Sequence, residues 1–107
     1  MDDERRLQIE TERNPSGPTL ILSGDLDPAT TPELHRALQA ARSVEDKGVI
    51  IDLAAVEFID SAGLRGLVEA LHLLQADDVG LTLRRPNRIV SRVLEITALD
   101  TVLRIEH

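Results

Sequence analysis

The feature that most constrains the fold is a short strand-like run that leads, through a five-residue motif, into a segment with helical periodicity. Residues 49–53 are mostly apolar and rich in β-branched side chains, which is typical of a buried strand. The motif Asp60-Ser61-Ala62-Gly63-Leu64 follows, and apolar residues then recur at helical spacing as far as Leu74. This order predicts a β–α unit of a mainly parallel sheet, with Ser61 at the start of the helix.

The rest of the chain extends the same alternation of strands and helices. The predicted strands cover residues 7–12, 19–23, 48–53, 81–83 and 102–105, and the first two form a hairpin. The predicted helices begin near residue 31, cover 61–76 and begin at 86–87. The first helix has two possible starts, either Thr31 as N-cap before Pro32 or a capping box of Thr30 and Glu33. A chain of 107 residues predicts a single α/β domain over residues 1–107.

Composition excludes several classes of function. The net charge is −7 and the chain has one Phe and no Trp or Tyr, which argues against nucleic acid and anionic membranes and favours a partner with a basic face. Cysteine is absent and the three histidines lack ligand spacing, so neither a metal site nor a cofactor is predicted. Without a long apolar run or a signal peptide at the acidic and basic N-terminus, a cytoplasmic protein is expected.

Three sequence matches, in the right order and spacing, carry a family resemblance. They are Ile51–Leu53 with Phe58–Leu64, the upstream Leu22–Asp27 with Thr30–Leu34, and the downstream Leu81–Leu83 with Pro86 and Val90–Leu94. The chain resembles the STAS domain (sulfate transporter and anti-sigma-factor antagonist) over roughly residues 7–106. This resemblance implies a mixed, mostly parallel sheet with helices mainly on one face and an antiparallel N-terminal hairpin strand.

A free-standing STAS domain with an intact serine resembles the bacterial anti-sigma-factor antagonists, which are not enzymes. The resemblance implies that the unmodified protein binds an anti-sigma factor with serine kinase activity and so releases a sigma factor. It also implies that the kinase phosphorylates Ser61 and that a serine phosphatase reverses this step. The alternative is a non-phosphorylated STAS subunit of a lipid or anion transport complex. A small enzyme built on Asp25, Asp27 and Asp60 is disfavoured, because no nucleophile–base pair accompanies these acids.

Ser61, Asp60 and Gly63 of the motif each have a structural and a functional interpretation. Ser61 is either a helix N-cap or a phosphate acceptor at the positive end of a helix. Asp60 is either a capping acid or a group that orients the serine or the nucleotide. Gly63 either lets a partner backbone approach or permits tight packing of the helix on a strand.

Residues outside the motif also have a structural and a functional interpretation. Asp25 and Asp27 form either a polar turn or a kinase-docking loop, and His72 lies either on a solvated helix surface or in a partner footprint. By resemblance, the partner-binding and kinase-binding set is Asp25, Asp27, Asp60, Ala62, Gly63, Leu64, Arg65 and His72. His35 is expected at the surface. The basic cluster Arg84-Arg85, Arg88 and Arg92 is expected to solvate a helix start, or else to bind an anion or an acidic partner.

Overall fold

The computed structural model describes residues 6–107, and within that range the chain forms one five-stranded sheet and three α-helices. In chain order the elements are β1 (Gln8–Asn14), β2 (Gly17–Leu26), α1 (Thr31–Ala41), β3 (Gly48–Ile59), α2 (Ser61–Ala76), β4 (Gly80–Arg84), α3 (Arg88–Ile96), a 3₁₀ turn (Leu99–Thr101) and β5 (Arg104–Glu106). The strands lie side by side in the same order. β1 and β2 are antiparallel and the other neighbours are parallel, which confirms the predicted topology.

One face of the sheet is apolar and is covered by the helices. Leu20, Ile51 and Leu83 lie opposite one another on β2, β3 and β4, and all three are fully buried. The helices add apolar side chains to the same cluster: Leu34, Leu38, Leu67, Ala70, Leu74, Val90 and Leu94. This arrangement confirms that the helices lie mainly on one face, and it is the burial of this shared cluster that holds them there.

β3 is six residues longer than the predicted strand 48–53. The prediction ended too early because buried and exposed residues do not alternate in the second half of β3. Between Ile21 and Ser23 of β2 the partner strand advances from Asp52 to Ala55, so β3 carries one extra residue. A second extra residue lies opposite the step from Gly24 to Asp25. Each is a β-bulge, which shifts the residues after it to the other face of the sheet. From residue 53 onward, the buried positions of β3 therefore fall at residues 53, 56 and 59.

The second half of β3 extends past the end of β4 and has no neighbouring strand on that side. The side chain of Asn87, the N-cap residue of α3, bonds to this part of β3 instead. β4 pairs with β3 only as far as Asp52. Beyond that point the Asn87 amide donates to three β3 carbonyl groups, those of Leu53, Ala54 and Val56. The Asn87 side-chain oxygen also accepts from the Val90 N–H at 3.0 Å and so caps α3. One residue thus fixes the free edge of β3 and the start of α3.

The face opposite the helices holds a buried carboxylate. Asp52 is 1% exposed. Its Oδ2 accepts two hydrogen bonds from Arg85, one of them from Nε at 3.1 Å. Arg84 pairs with Glu106 at 3.2 Å. The prediction that the basic cluster solvates a helix start is therefore wrong for Arg85, which offsets the lost hydration of a buried carboxylate, and for Arg84, which pairs with Glu106 of β5.

Other differences from the predicted elements are local. The predicted strand 19–23 continues through Gly24 as far as Leu26. Gly24 has a φ of 94°, a backbone conformation that residues other than glycine disfavour. The predicted strand 102–105 begins two residues later, at Arg104. Thr30, not Thr31, is the N-cap residue of α1, and its side chain makes no capping hydrogen bond. The capping box does not form: the Thr30 N–H donates to the Asp27 carboxylate at 3.0 Å, and Glu33 pairs with Arg6 at 3.1 Å.

Candidate functional site

Ser61 is the first residue of α2, and its side chain is exposed. Asp60 is the N-cap residue: its carboxylate accepts the Gly63 N–H at 3.0 Å, and its carbonyl accepts the Leu64 N–H at 2.9 Å. The prediction that Ser61 starts the helix is confirmed, but the interpretation of Ser61 as the N-cap residue is wrong. The interpretation of Asp60 as the capping acid is correct. Because Asp60 caps the start of α2, the Ser61 hydroxyl is not needed as a capping group.

The first turn of α2 offers backbone donors beside the serine. The N–H groups of Gly63 and Leu64 are occupied by Asp60, and the Asp60 N–H points to the carbonyl of Leu26 at 3.4 Å. Within residues 6–107 this leaves the N–H groups of Ser61 and Ala62 without a protein acceptor. Free N–H groups at a helix start, together with the helix dipole, favour a bound or covalently attached anion.

Gly63 is buried where α2 meets the end of β2. A Cβ on Gly63 would lie 2.4 Å from the carbonyl oxygen of Leu26 and 2.9 Å from Cγ1 of Ile59. Any side chain there collides with backbone, so the structure supports the packing reading of this glycine. The contact holds the end of β2 against the residue that begins the serine-bearing turn.

The loop after β2 lies beside the serine because β2 and β3 are parallel neighbours that end together. Leu26 is paired with Ile59, and Asp25 is paired with Phe58. The Asp27 carboxylate accepts the N–H groups of Ala29 and Thr30, both at 3.0 Å. Asp27 therefore builds the turn itself, as the polar-turn reading predicts, while Asp25 is a half-buried residue of the strand end.

Helix α1 packs closely on α2 just beyond the motif. A Cβ on Gly66 would lie 2.4 Å from Cγ2 of Thr31, so this glycine permits the close contact of the two helices. His35 Nε2 is 3.1 Å from the carbonyl oxygen of Gly66. The expectation that His35 is a surface residue is wrong, because its ring is half-buried in this helix contact. The α1–α2 contact braces α2 immediately after its first turn.

The remaining predicted site residues divide by exposure. Arg65 and His72 are exposed on α2, Ala62 is half-buried, and Leu64 is buried at 8% exposure in the core cluster. At 1.5 Å per residue, His72 lies about 16 Å along the helix from Ser61. A surface that includes both of them would extend over most of the length of α2.

The chain thus combines a mostly parallel sheet with an exposed serine at the start of α2 and an acidic loop beside it. A family model described as "Mlab, STAS domain" matches residues 9–105. The chain belongs to the STAS-domain family.

Its relatives include anti-sigma-factor antagonists. The anti-sigma-B factor antagonist of Staphylococcus epidermidis is 30% identical over 99 residues, which cover 92% of each chain. The protein of the same name from Staphylococcus aureus is 29% identical over the same share. An anti-sigma factor antagonist from Mycobacterium paratuberculosis superposes with a TM-score of 0.80 at 25% identity, covering 99% of this chain and 90% of that one.

A more distant structure shows the same fold. It is the anti-sigma factor antagonist SpoIIAA in its unphosphorylated form, with a TM-score of 0.72 at 17% identity over 94% of this chain and 89% of that one. Among the helices within residues 6–107, none has both the length and the apolar character needed to cross a membrane.

Proposed function

We propose that this protein is an anti-sigma-factor antagonist whose binding surface is centred on Ser61 and is switched by phosphorylation of that hydroxyl. The observation that carries the proposal is the exposed Ser61 side chain on the first residue of α2, with Asp60 acting as the cap. The names of the staphylococcal relatives, which align over 92% of the chain, support the same function. In this role the protein is a cytoplasmic regulator, a single-domain substrate of a kinase rather than an enzyme.

The helix start accommodates the modified serine without unfolding. A phosphate on Ser61 meets the unoccupied N–H groups of Ser61 and Ala62, and the cap made by Asp60 remains. Arg65 follows one turn later on the exposed side. The phosphorylated protein therefore keeps its fold, and the modification changes the charge of the surface.

The switch works through that charge. The kinase transfers the γ-phosphoryl group of ATP to Ser61 Oγ, so that a new P–O bond forms, the bond to ADP breaks and the hydroxyl proton is lost. The net charge of −7 becomes about −9, since phosphoserine adds up to about two negative charges. The phosphate loses its hydration when the partner covers Ser61, and a cost of about 3 kcal/mol for this desolvation weakens affinity roughly 150-fold. A serine phosphatase restores the binding form.

The predicted partner-binding residues contribute in two ways. Arg65 and His72, which are exposed, and Asp60 and Ala62, which are half-buried, contact the partner directly. The loop of Asp25 and Asp27 docks the kinase beside the serine. Gly63 and Leu64 are buried, so they act by fixing the position of α2 rather than by contact.

Mass spectrometry after incubation with purified anti-sigma-factor kinases and ATP tests the proposal. The expected product carries one phosphate, on the peptide that contains Ser61, and Ser61→Ala remains unmodified. Phosphate on Ser23, Ser43 or Ser91 instead would refute the assignment.

A second candidate is a non-phosphorylated STAS subunit of a lipid or anion transport complex. It is favoured by one finding, that the description of the matching family model is not limited to anti-sigma-factor antagonists. Affinity purification from the native cell distinguishes the two functions. The antagonist co-purifies with an anti-sigma factor, and the transport subunit with a transporter ATPase and its membrane partner.

A further inference from the structure

Phe58 is the only aromatic residue of the chain, and it does not lie in the core. The two bulges of β3 assign the buried positions at this end of the strand to Val56 and Ile59. Phe58 falls between them and is 41% exposed. Phe58 therefore presents part of a large apolar ring to solvent in a protein whose core cluster is aliphatic.

The position of Phe58 connects it to the switch. It lies three residues before Ser61, so their Cα atoms are at most about 11 Å apart. It is paired with Asp25 on β2, follows the exposed Glu57 and precedes the capping Asp60 by two residues. Phe58 is thus an exposed apolar residue with acidic neighbours in the sequence and in the strand register, close along the chain to the proposed site of phosphorylation.

This combination matches the centre of a protein interface. Aromatic side chains account for much of the binding energy where they enter a pocket of the partner, and the surrounding polar residues exclude water. Acidic residues beside Phe58 in the sequence and in the strand register favour a partner surface of opposite charge. We propose that Phe58 is the apolar anchor through which this protein binds its anti-sigma factor, and that the anti-sigma factor receives the ring in a hydrophobic pocket edged by Lys or Arg. The inference rests on the proposed function and adds to it a contact on β3, outside α2.

The test uses the purified anti-sigma-factor kinase that phosphorylates Ser61, and two variants, Phe58→Ala and Phe58→Thr. Calorimetry without ATP should show affinity reduced tenfold or more for both variants, which corresponds to loss of an interface hot spot. With ATP, the KM for phosphorylation of Ser61 should rise while kcat changes little, because the ring binds the kinase but does not touch the transferred group. Circular dichroism and thermal melting verify that each variant is folded, and Thr is included because its β-branched side chain is favoured in strands.

The matched control is Val44→Ala. Val44 is a fully exposed apolar residue in the loop before β3, at the opposite end of that strand from Phe58 and Ser61. The affinity of this variant should stay within twofold of wild type. If the folded Phe58 variants bind within twofold of wild type, or if Val44→Ala loses as much affinity, the anchor is refuted, while Ser61 phosphorylation still supports the proposed function. If the wild-type protein neither binds nor is phosphorylated by any anti-sigma-factor kinase of its organism, both proposals fail.

Discussion

Gly63→Ala is expected to destabilise the protein and to displace the serine-bearing turn, although alanine is the better helix former. The new Cβ would lie 2.4 Å from the Leu26 carbonyl oxygen, whereas carbon–oxygen contacts normally begin near 3.3 Å, so the strands and helix must separate by about 0.9 Å. Overpacking of this kind costs about 1–3 kcal/mol. The helix propensity of alanine returns less than about 1 kcal/mol at a helix end. The net loss is therefore about 1–2 kcal/mol, or roughly 4–8 °C in Tm for a chain of this length.

Thermal and urea unfolding of Gly63→Ala measure this loss, and the rate of Ser61 phosphorylation measures the displacement of the turn. Gly80→Ala is the control, because a Cβ there would have the Lys47 carbonyl oxygen as its nearest neighbour at 3.9 Å, an ordinary contact. The control should melt within about 2 °C of wild type, since surface substitutions usually change stability by under about 0.5 kcal/mol. A Gly63→Ala variant as stable as wild type, with normal phosphorylation, would show that the contact with Leu26 does not position α2.

Three further variants test other parts of the account. Leu67→Ala, at a fully buried position of α2, should reduce the free energy of unfolding by about 2–5 kcal/mol in urea titrations through the cavity it leaves, and an unchanged midpoint would contradict the core assignment. Arg65→Glu should weaken binding to the anti-sigma factor while the Tm stays within a few degrees, because Arg65 is exposed, and wild-type affinity would place the docking face elsewhere. The pKa of Asp46 is lowered by the hydrogen bond from Arg13 and by the Ser43 N–H, so its contribution to stability is present above the unfolded pKa of about 4 and is lost as the pH falls through the folded pKa. Asp46→Asn should therefore melt below wild type at pH 7, with a difference that shrinks below about pH 4, and a difference independent of pH would refute this role.

The sequence predicted the fold where apolar periodicity was regular. The helix over residues 61–76 was predicted with its observed bounds, because Leu64, Leu67 and Leu74 recur on one side and Asp77-Asp78 ends the run. The length of β3 was missed because its bulges place buried residues three apart, which matches neither strand nor helix periodicity. Bulges depend on the register with β2, and that register is not visible in the β3 sequence alone.

The site was predicted in part for a similar reason. The motif located Ser61 at the start of α2, and a local signal assigned Asp60 as a possible cap. The contact of Gly63 with Leu26 and the hydrogen bond between His35 and Gly66 join residues more than thirty positions apart, so no local pattern revealed them. The exposure of Phe58 was also hidden, since an aromatic residue in a strand is more often buried.

The most direct test of the central claim compares the affinity of one anti-sigma factor for the unmodified and the Ser61-phosphorylated protein by calorimetry. We expect tight binding of the unmodified form and Ser61→Ala, a loss of roughly 150-fold on phosphorylation, and a partial loss for Ser61→Asp, which carries a single charge. Circular dichroism should show the same fold in all four proteins. Equal affinity of the unmodified and phosphorylated forms would contradict the claim that charge at Ser61 is the switch.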